Sequence, residues 1–116
     1  IAVFTPSSAQ RAVIDAYVDV NISVIREWPR DQIYLTLQRT VPGFTITPYL
    51  SRRALNIFTA CRETGIQGCN AVVVTHRRLA QIMQLLIQTR RGLIPNIKTR
   101  MFYEHGQGLE WLKQAL

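Results

Sequence analysis

The residues of this chain best suited to chemistry are its basic side chains, which are concentrated in one part of the sequence. The chain of 116 residues has 14 Lys and Arg against 7 Asp and Glu. Residues 1–51 are neutral, because four Arg balance four acids, whereas residues 52–100 carry nine basic side chains and one acid, Glu63. Most of the basic residues are Arg, whose planar guanidinium fits a phosphate or the edge of guanine. This concentration predicts a nucleic-acid-binding surface, with an acidic protein or an anionic membrane surface as the alternative.

Several of these arginines are candidate phosphate ligands. Arg52 and Arg53 fall at the start of a predicted helix, where cations oppose the helix dipole, so a phosphate role is favoured for at least one of them. Arg11 aligns with Arg53 in an internal repeat of the sequence, so it is a candidate for the same role. Arg77 and Arg78 lie on the polar side of another predicted helix, where they either contact DNA or form an ordinary solvated surface.

Three further residues complete the set of binding candidates. Asn70 follows the turn Gly68-Cys69 and is predicted to cap a second helix. The free N-terminal amides of that helix can bind a phosphate, or Asn70 is a cap and nothing more. Lys98 and Arg100 project to one side of a predicted strand, either as a DNA-contacting extension or as plain surface.

No residue pattern indicates catalysis, a metal site or a cofactor. His76 precedes two arginines and His105 lies in a Glu-His-Gly-Gln-Gly loop, so both are predicted to be surface histidines. Cys61 and Cys69 have no second Cys pair and no His at zinc spacing, and Cys61 is expected to be buried in a helix. Tyr103 is placed in the core or at its edge. We predict a protein that is not an enzyme and that needs no metal or cofactor.

Composition excludes several classes of protein. The chain is 47% hydrophobic with a mean hydropathy of +0.03, which excludes a disordered chain, and it contains no apolar run of about 18 residues that would cross a membrane. It begins at Ile1 without a signal-peptide pattern, which predicts a fragment or a trimmed chain. We expect one domain, residues 1–116, with no membrane insertion.

Two halves of the chain show a similar order of predicted elements. The second half reads as an extended run over 43–46, a helix from Thr47-Pro48 to Gly65, a turn over 66–69, and a helix from Asn70 with the apolar stripe Leu79, Ile82, Met83 and Leu86. The first half reads as an extended run over 1–4, a helix over about 6–27, a break at Trp28 before Pro29, and a helix over about 30–40. Alternatively, this last helix starts at Asn21 and is kinked at Pro29.

An internal repeat connects the halves. Phe4-Thr5-Pro6 aligns with Ile46-Thr47-Pro48, and further on Asn21 aligns with Asn70 and Leu37 with Leu86. The pseudo-repeats span 1–42 and 43–89. In the remaining extension, 90–116, Gly92 and Pro95 end the preceding helix, a strand is predicted over 97–103 and a short helix over 109–116.

The run Phe44-Thr45-Ile46-Thr47-Pro48, the helix end Glu63-Thr64-Gly65 and the helix predicted from Asn70 resemble the ribbon-helix-helix family of DNA-binding proteins. The resemblance implies a mainly α fold with a two-stranded antiparallel β-ribbon, built as a tandem ribbon-helix-helix pseudodimer in one chain with a C-terminal strand and helix extension. Such a chain would be a monomer whose ribbon enters the major groove of duplex DNA. Val3 and Thr45 would then face the bases, although the family prefers polar or basic residues at these outward positions.

Two stretches, Ser8–Tyr17 and Thr75–Ile82, are similar to DNA-binding accessory proteins of T-DNA transfer from agrobacterial tumour-inducing plasmids. This similarity implies binding to double-stranded DNA at border or overdrive sequences in the bacterial cytoplasm, in partnership with a relaxase and other transfer-complex proteins. Two alternatives remain open from sequence. One is a protein-interaction adaptor whose basic face docks an acidic partner, and the other is a single-stranded nucleic-acid binder.

Overall fold

The computed structural model describes residues 1–93 and 96–116, in which strands and helices alternate. The elements are β1 (Ala2–Phe4), α1 (Arg11–Glu27), β2 (Tyr34–Arg39), α2 (Pro48–Thr64), β3 (Gly68–Val73), α3 (Arg77–Arg90), β4 (Ile97–Phe102) and α4 (His105–Lys113). A single 3-10 turn, Arg91–Leu93, follows α3. In these described ranges, no helix is both long enough and apolar enough to cross a membrane.

The four strands form one parallel sheet in the order β1-β2-β3-β4. Thr36 of β2 lies between Ala2 of β1 and Asn70 of β3, and Asn70 has Thr99 of β4 as its other neighbour. Parallel neighbours cannot be joined by a tight turn, so a crossover helix connects each successive pair. The chain is therefore an α/β protein built from successive strand–helix units.

The helices cover the two faces of the sheet unequally. Side chains of α1, α2 and α3 share two hydrophobic clusters with one face, represented by Tyr34, Val72 and Ile97. The other face is covered by α4, whose Leu112 packs among residues such as Leu37 and Val73. Consecutive strand residues point to opposite faces, so β2 and β3 are buried on both sides.

The prediction of a mainly α fold with an antiparallel ribbon is wrong. Val3 lies in β1 and pairs in parallel with Leu37 of β2. Thr45 lies in the connection between β2 and α2, outside every strand of the described residues. Val3 and Thr45 therefore do not pair with each other. The ribbon-helix-helix architecture and its insertion into the major groove are excluded.

Two helices of the sequence-based prediction are strands. The helix expected over about 30–40 is β2, and the helix expected from Asn70 starts only at Arg77, after β3. The runs Tyr34–Leu37 and Ala71–Val74 are continuously buried. Such continuously buried runs are typical of interior parallel strands, which have no solvent-facing side.

The pseudo-repeat is also wrong as a description of the fold, because it aligned residues from different kinds of element. Phe4 ends a strand, whereas Ile46 lies in the connection before α2. Asn21 belongs to α1 and its counterpart Asn70 to β3, while Leu37 belongs to β2 and Leu86 to α3. The repeating unit is one strand followed by one helix, and no pseudodimer is formed.

Other predictions are confirmed. Thr47 caps α2 by accepting a hydrogen bond from Leu50 N at 3.1 Å, Pro48 is its first residue, and Gly65 ends it with a left-handed φ of 66°. α1 ends at Glu27 with Trp28 as its C-cap, as expected, but it starts at Arg11 and not at about residue 6. β1 and β4 lie within the predicted extended runs, although the closing helix starts four residues early, at His105.

Individual side chains are divided between confirmed and wrong predictions. Cys61 is buried, as predicted. In the predicted stripe of α3, Leu79 is buried but Ile82 is 51% exposed. Tyr103 is 57% exposed and does not belong to the core. The predicted helix break at Pro95 lies outside the described residues.

Replacing Gly68 with Ala tests the pairing of the two interior strands. A Cβ at Gly68 would lie 1.7 Å from the carbonyl oxygen of Tyr34, which is backbone and cannot move aside unless β2 separates from β3. We expect Gly68→Ala to lower the free energy of unfolding by more than about 3 kcal/mol in urea denaturation. The matched control is Gly106→Ala in α4, where a Cβ meets nothing within 4 Å. It should be neutral or gain up to about 1 kcal/mol. Equal stability of the two variants would contradict the parallel register.

Candidate nucleic-acid interface

The parallel sheet brings the beginnings of its crossover helices to one edge. Each helix follows the carboxyl end of a strand, so α1, α2 and α3 all start at the carboxyl edge of the sheet. This edge carries Arg11 at the start of α1, Arg52 and Arg53 early in α2, and Arg77 and Arg78 at the start of α3. None of these three helices has an acid in its first turn. Helix dipoles add further positive potential there.

Tyr49 holds two of these arginines together. The guanidinium carbon of Arg11 lies 4.8 Å from the centroid of the Tyr49 ring, and that of Arg52 lies 5.9 Å from it. Cation–π contacts of this kind fix an arginine that is otherwise mobile at the surface. Arg11 and Arg52 are exposed, so their charges remain available to a ligand.

Arg53 is neutralised within the chain. Its Nε lies 3.0 Å from Asp15 Oδ1 and its Nη2 lies 3.0 Å from Asp19 Oδ1, and only 22% of its side chain is exposed. A hydrogen bond donated by the Tyr49 hydroxyl and the pairing with Arg53 together hold the pKa of Asp15 below its usual value. Arg53 therefore joins α2 to α1 and offers little net charge to a phosphate.

Arg77 and Arg78 are presented by a buried anchor. The next two residues, Leu79 and Ala80, are buried in the cluster shared with α1 and β3. This anchor fixes the start of α3 and leaves both arginines in solvent. Among the side chains that the structure describes, Arg11, Arg52, Arg77 and Arg78 make no ion pair. We call these four residues the carboxyl-edge arginines.

The remaining candidate residues lie elsewhere. Asn70 is in the middle of β3 and caps no helix. Lys98 and Arg100 alternate with residues that face α1–α3, so they lie on the opposite face of β4, where Arg100 stacks over Phe102 at 5.2 Å. Val3 is 47% exposed on edge strand β1. Thr45 is exposed in the loop before α2.

Sequence reasoning missed two residues of this edge. Arg39 is the last residue of β2, where it is exposed and donates from Nε to Thr5 Oγ1 at 3.3 Å. It was overlooked because its segment was interpreted as a helix. Tyr49 follows the capping pair Thr47-Pro48, and its spacing of three from Arg52 places both on one face of the helix. That spacing is the signal that identifies it.

Within residues 1–93 and 96–116, no group of three or more His, Cys, Asp and Glu side chains is arranged to hold a metal ion. The thiol of Cys61 lies inside the protein, where burial raises its pKa to about 11.

Comparisons with protein-family models, with curated proteins and with solved structures give no significant match to this chain.

The acid side of the pH–stability profile tests the Asp15 cluster. The pKa of Asp15 is lowered in the folded protein, so its ion pair contributes fully above the unfolded pKa of about 3.8 and is lost as the pH falls through the folded pKa. We expect Asp15→Asn to be less stable than the parent in urea at pH 7 and this difference to shrink toward pH 2.5. Asp31→Asn is the control, because Asp31 is exposed and makes no ion pair with any described side chain. A difference that stays constant with pH would disprove the charged cluster.

Proposed function

We propose that this chain binds double-stranded DNA through its sugar–phosphate backbone, using the carboxyl-edge arginines. The single observation that carries the proposal is their arrangement: four arginines from three helices lie exposed at one edge of the sheet, without an ion pair among the described side chains. Guanidinium groups bind phosphates in bidentate geometry. The formal net charge of +7 adds long-range attraction toward a polyanion.

The contacts around Tyr49 support a backbone-binding mode. Single-stranded nucleic acid is usually held by stacking of its bases on open aromatic rings. The ring of Tyr49 is instead engaged by Arg11 and Arg52, which leaves a pair of cations as the feature that a ligand meets. Two fixed guanidinium groups are better suited to binding neighbouring phosphates of a duplex than to binding unstacked bases.

Tyr103 is the residue by which a single-stranded ligand would be recognised. It follows β4 at the same edge of the sheet and is 57% exposed. If single strands were the ligand, Tyr103 would supply the stacking platform. A Tyr103→Ala variant therefore separates the two kinds of nucleic acid.

Two further roles of the chain, each involving a partner protein, remain predictions from the sequence. One is assistance to a relaxase in T-DNA transfer, which rests on the similarity of Ser8–Tyr17 and Thr75–Ile82. The other is docking of an acidic protein, which would use the same positive surface. Competition by the acidic polymer polyglutamate distinguishes docking of an acidic protein from DNA binding.

Replacing Arg77 and Arg78 with Ala should weaken binding equally on unrelated duplexes. If each of the four arginines neutralises one phosphate, the logarithm of the binding constant falls with the logarithm of salt concentration with a slope of about −3.6. The double variant should reduce the steepness of this slope by about 1.8 and lower affinity on the order of 50-fold at 0.1 M salt. Fluorescence anisotropy of two labelled duplexes and one matching single strand measures both quantities.

The control removes the same charge from another part of the surface. Arg62 and Lys113 are exposed near the C-terminal ends of α2 and α4, away from the carboxyl edge. Arg62→Ala with Lys113→Ala should leave the slope nearly unchanged. The proposal fails if the two double variants weaken DNA binding equally, or if polyglutamate binds the protein more tightly than duplex DNA does. It also fails if the single strand binds better than the duplex and this preference is lost in Tyr103→Ala.

A further inference from the structure

A large cavity lies between α2 and α3, on the face of the sheet that α1, α2 and α3 cover. Its volume is about 790 Å³. It exists because α2 packs closely on α1 but hardly touches α3. Apolar side chains form both walls, among them Leu50, Ile57 and Phe58 from α2 and Leu86 and Ile87 from α3. A cavity of this size with mostly apolar walls is in the range of small-molecule binding sites.

The floor of the cavity includes polar side chains of the sheet beside the apolar Val72 and Ile97. Thr36, Asn70 and Thr99 form a row across β2, β3 and β4, directed toward the helices, and both Asn70 and Thr99 line the cavity. Gln38 lines it as well. A row of polar side chains between two apolar layers fixes the position and orientation of a ligand, whereas a purely apolar floor would not.

A hydrogen-bond network holds part of this floor rigid. Gln38 Nε2 donates to Asn21 Oδ1 at 2.9 Å and to Thr36 Oγ1 at 3.1 Å, and Gln38 Oε1 accepts from the Tyr17 hydroxyl. Asn21 is fully buried, and its Nδ2 donates to the backbone oxygen of Tyr17 at 2.8 Å. These side chains pair their hydrogen-bonding groups with one another, so their positions beside the cavity are fixed before a ligand binds.

Asn70 is the exception to this pairing. Its Oδ1 is buried and has no hydrogen-bond partner among the described residues. A buried acceptor left unpaired is costly, so such an atom indicates a missing donor. Because Asn70 lines the cavity, a ligand with a hydroxyl or amide N–H group can supply that donor.

The charged groups around the cavity have one sign. Arg39, Arg90 and Lys98 are lining residues, and the described lining residues include no acid. Alternation along β2 and β4 directs the Arg39 and Lys98 side chains to the face covered by α4, so Arg90 is the cation that can face a ligand in the cavity. Arg90 reaches from the last turn of α3 to α2, where its Nη1 donates to the Ser51 carbonyl oxygen at 3.2 Å and its guanidinium lies 6.0 Å from the Phe58 ring. A half-buried arginine that is not ion-paired with any described side chain favours an anionic ligand.

We propose that the cavity between α2 and α3 binds an amphipathic organic carboxylate with an apolar body and a hydrogen-bond donor. The apolar body lies between the helices, the donor pairs with Asn70, and the carboxylate pairs with Arg90. None of the four carboxyl-edge arginines lines the cavity, so ligand binding there can be tested independently of DNA binding.

Three probes with the same ten-carbon chain test the proposal. N-decanoylglycine carries an amide N–H and a carboxylate, decanoate lacks the amide, and N-decanoylethanolamine lacks the negative charge. We expect N-decanoylglycine to bind at least about fivefold more tightly than either of the others. Asn70→Val should abolish its advantage over decanoate, and Arg90→Gln should reduce its advantage over the neutral probe.

The unmodified chain supplies an internal control that needs no variant. It has two methionines, of which Met83 lines the cavity and Met101 does not. In a titration followed by NMR of carbon-13-labelled methionine methyl groups, N-decanoylglycine should shift Met83 saturably and leave Met101 in place. The proposal is overturned by the absence of a saturable Met83 shift at millimolar probe, by equal shifts at both methionines, or by equal binding of the three probes.

Discussion

The parallel pairing of β2 with β3 is the constraint on which the rest of the structure depends. Both strands are interior, so each must supply apolar side chains to α1–α3 on one face and to α4 on the other. The close approach of the Tyr34 carbonyl to Gly68 shows that the register leaves no room for a side chain at that position. Parallel direction also requires a helix between successive strands, and each of these helices starts at the same edge. The arginines early in α1, α2 and α3 therefore lie along one edge because of strand direction, although they are far apart in sequence.

Helix α2 could be predicted almost to the residue because its signals are local. Thr47, Pro48 and Gly65 each act on the backbone within one turn of the helix end. β2 and β3 could not be predicted in this way. The apolar run Ala71–Val74 is compatible with a buried strand and with a buried helix. Which of the two forms depends on whether partner strands are available on both sides. Those partners lie about 30 residues away in either direction, where single-sequence periodicity carries no information about pairing.

A positively charged surface could be predicted from the sequence, but the individual arginines that form it could not. An excess of Arg over acid indicates a polyanion ligand wherever the fold places the charges. Adjacent residues Arg52 and Arg53 are equivalent to any local argument, yet Asp15 and Asp19 of α1 neutralise only Arg53. For Arg77 and Arg78, in contrast, the structure strengthens the case for phosphate binding. With the helix starting at Arg77 rather than at Asn70, they move from mid-helix to its first turn, where the argument from the helix dipole applies to them most strongly.

The polar groups beneath the helices gave no signal in the sequence. In α1, Asn21 occupies a position in the same buried stripe as Ile14, Val18 and Ile25, where an apolar residue would fill the layer without needing partners. Its presence requires Gln38, Tyr17 and Thr36 to be arranged around it, because a buried amide must be paired. Real proteins break one or two local folding rules at functional sites and compensate for them elsewhere. Here the paired groups extend along the sheet toward the cavity, and pairing stops at Asn70, the member of the polar row whose buried amide oxygen has no hydrogen-bond partner among the described residues.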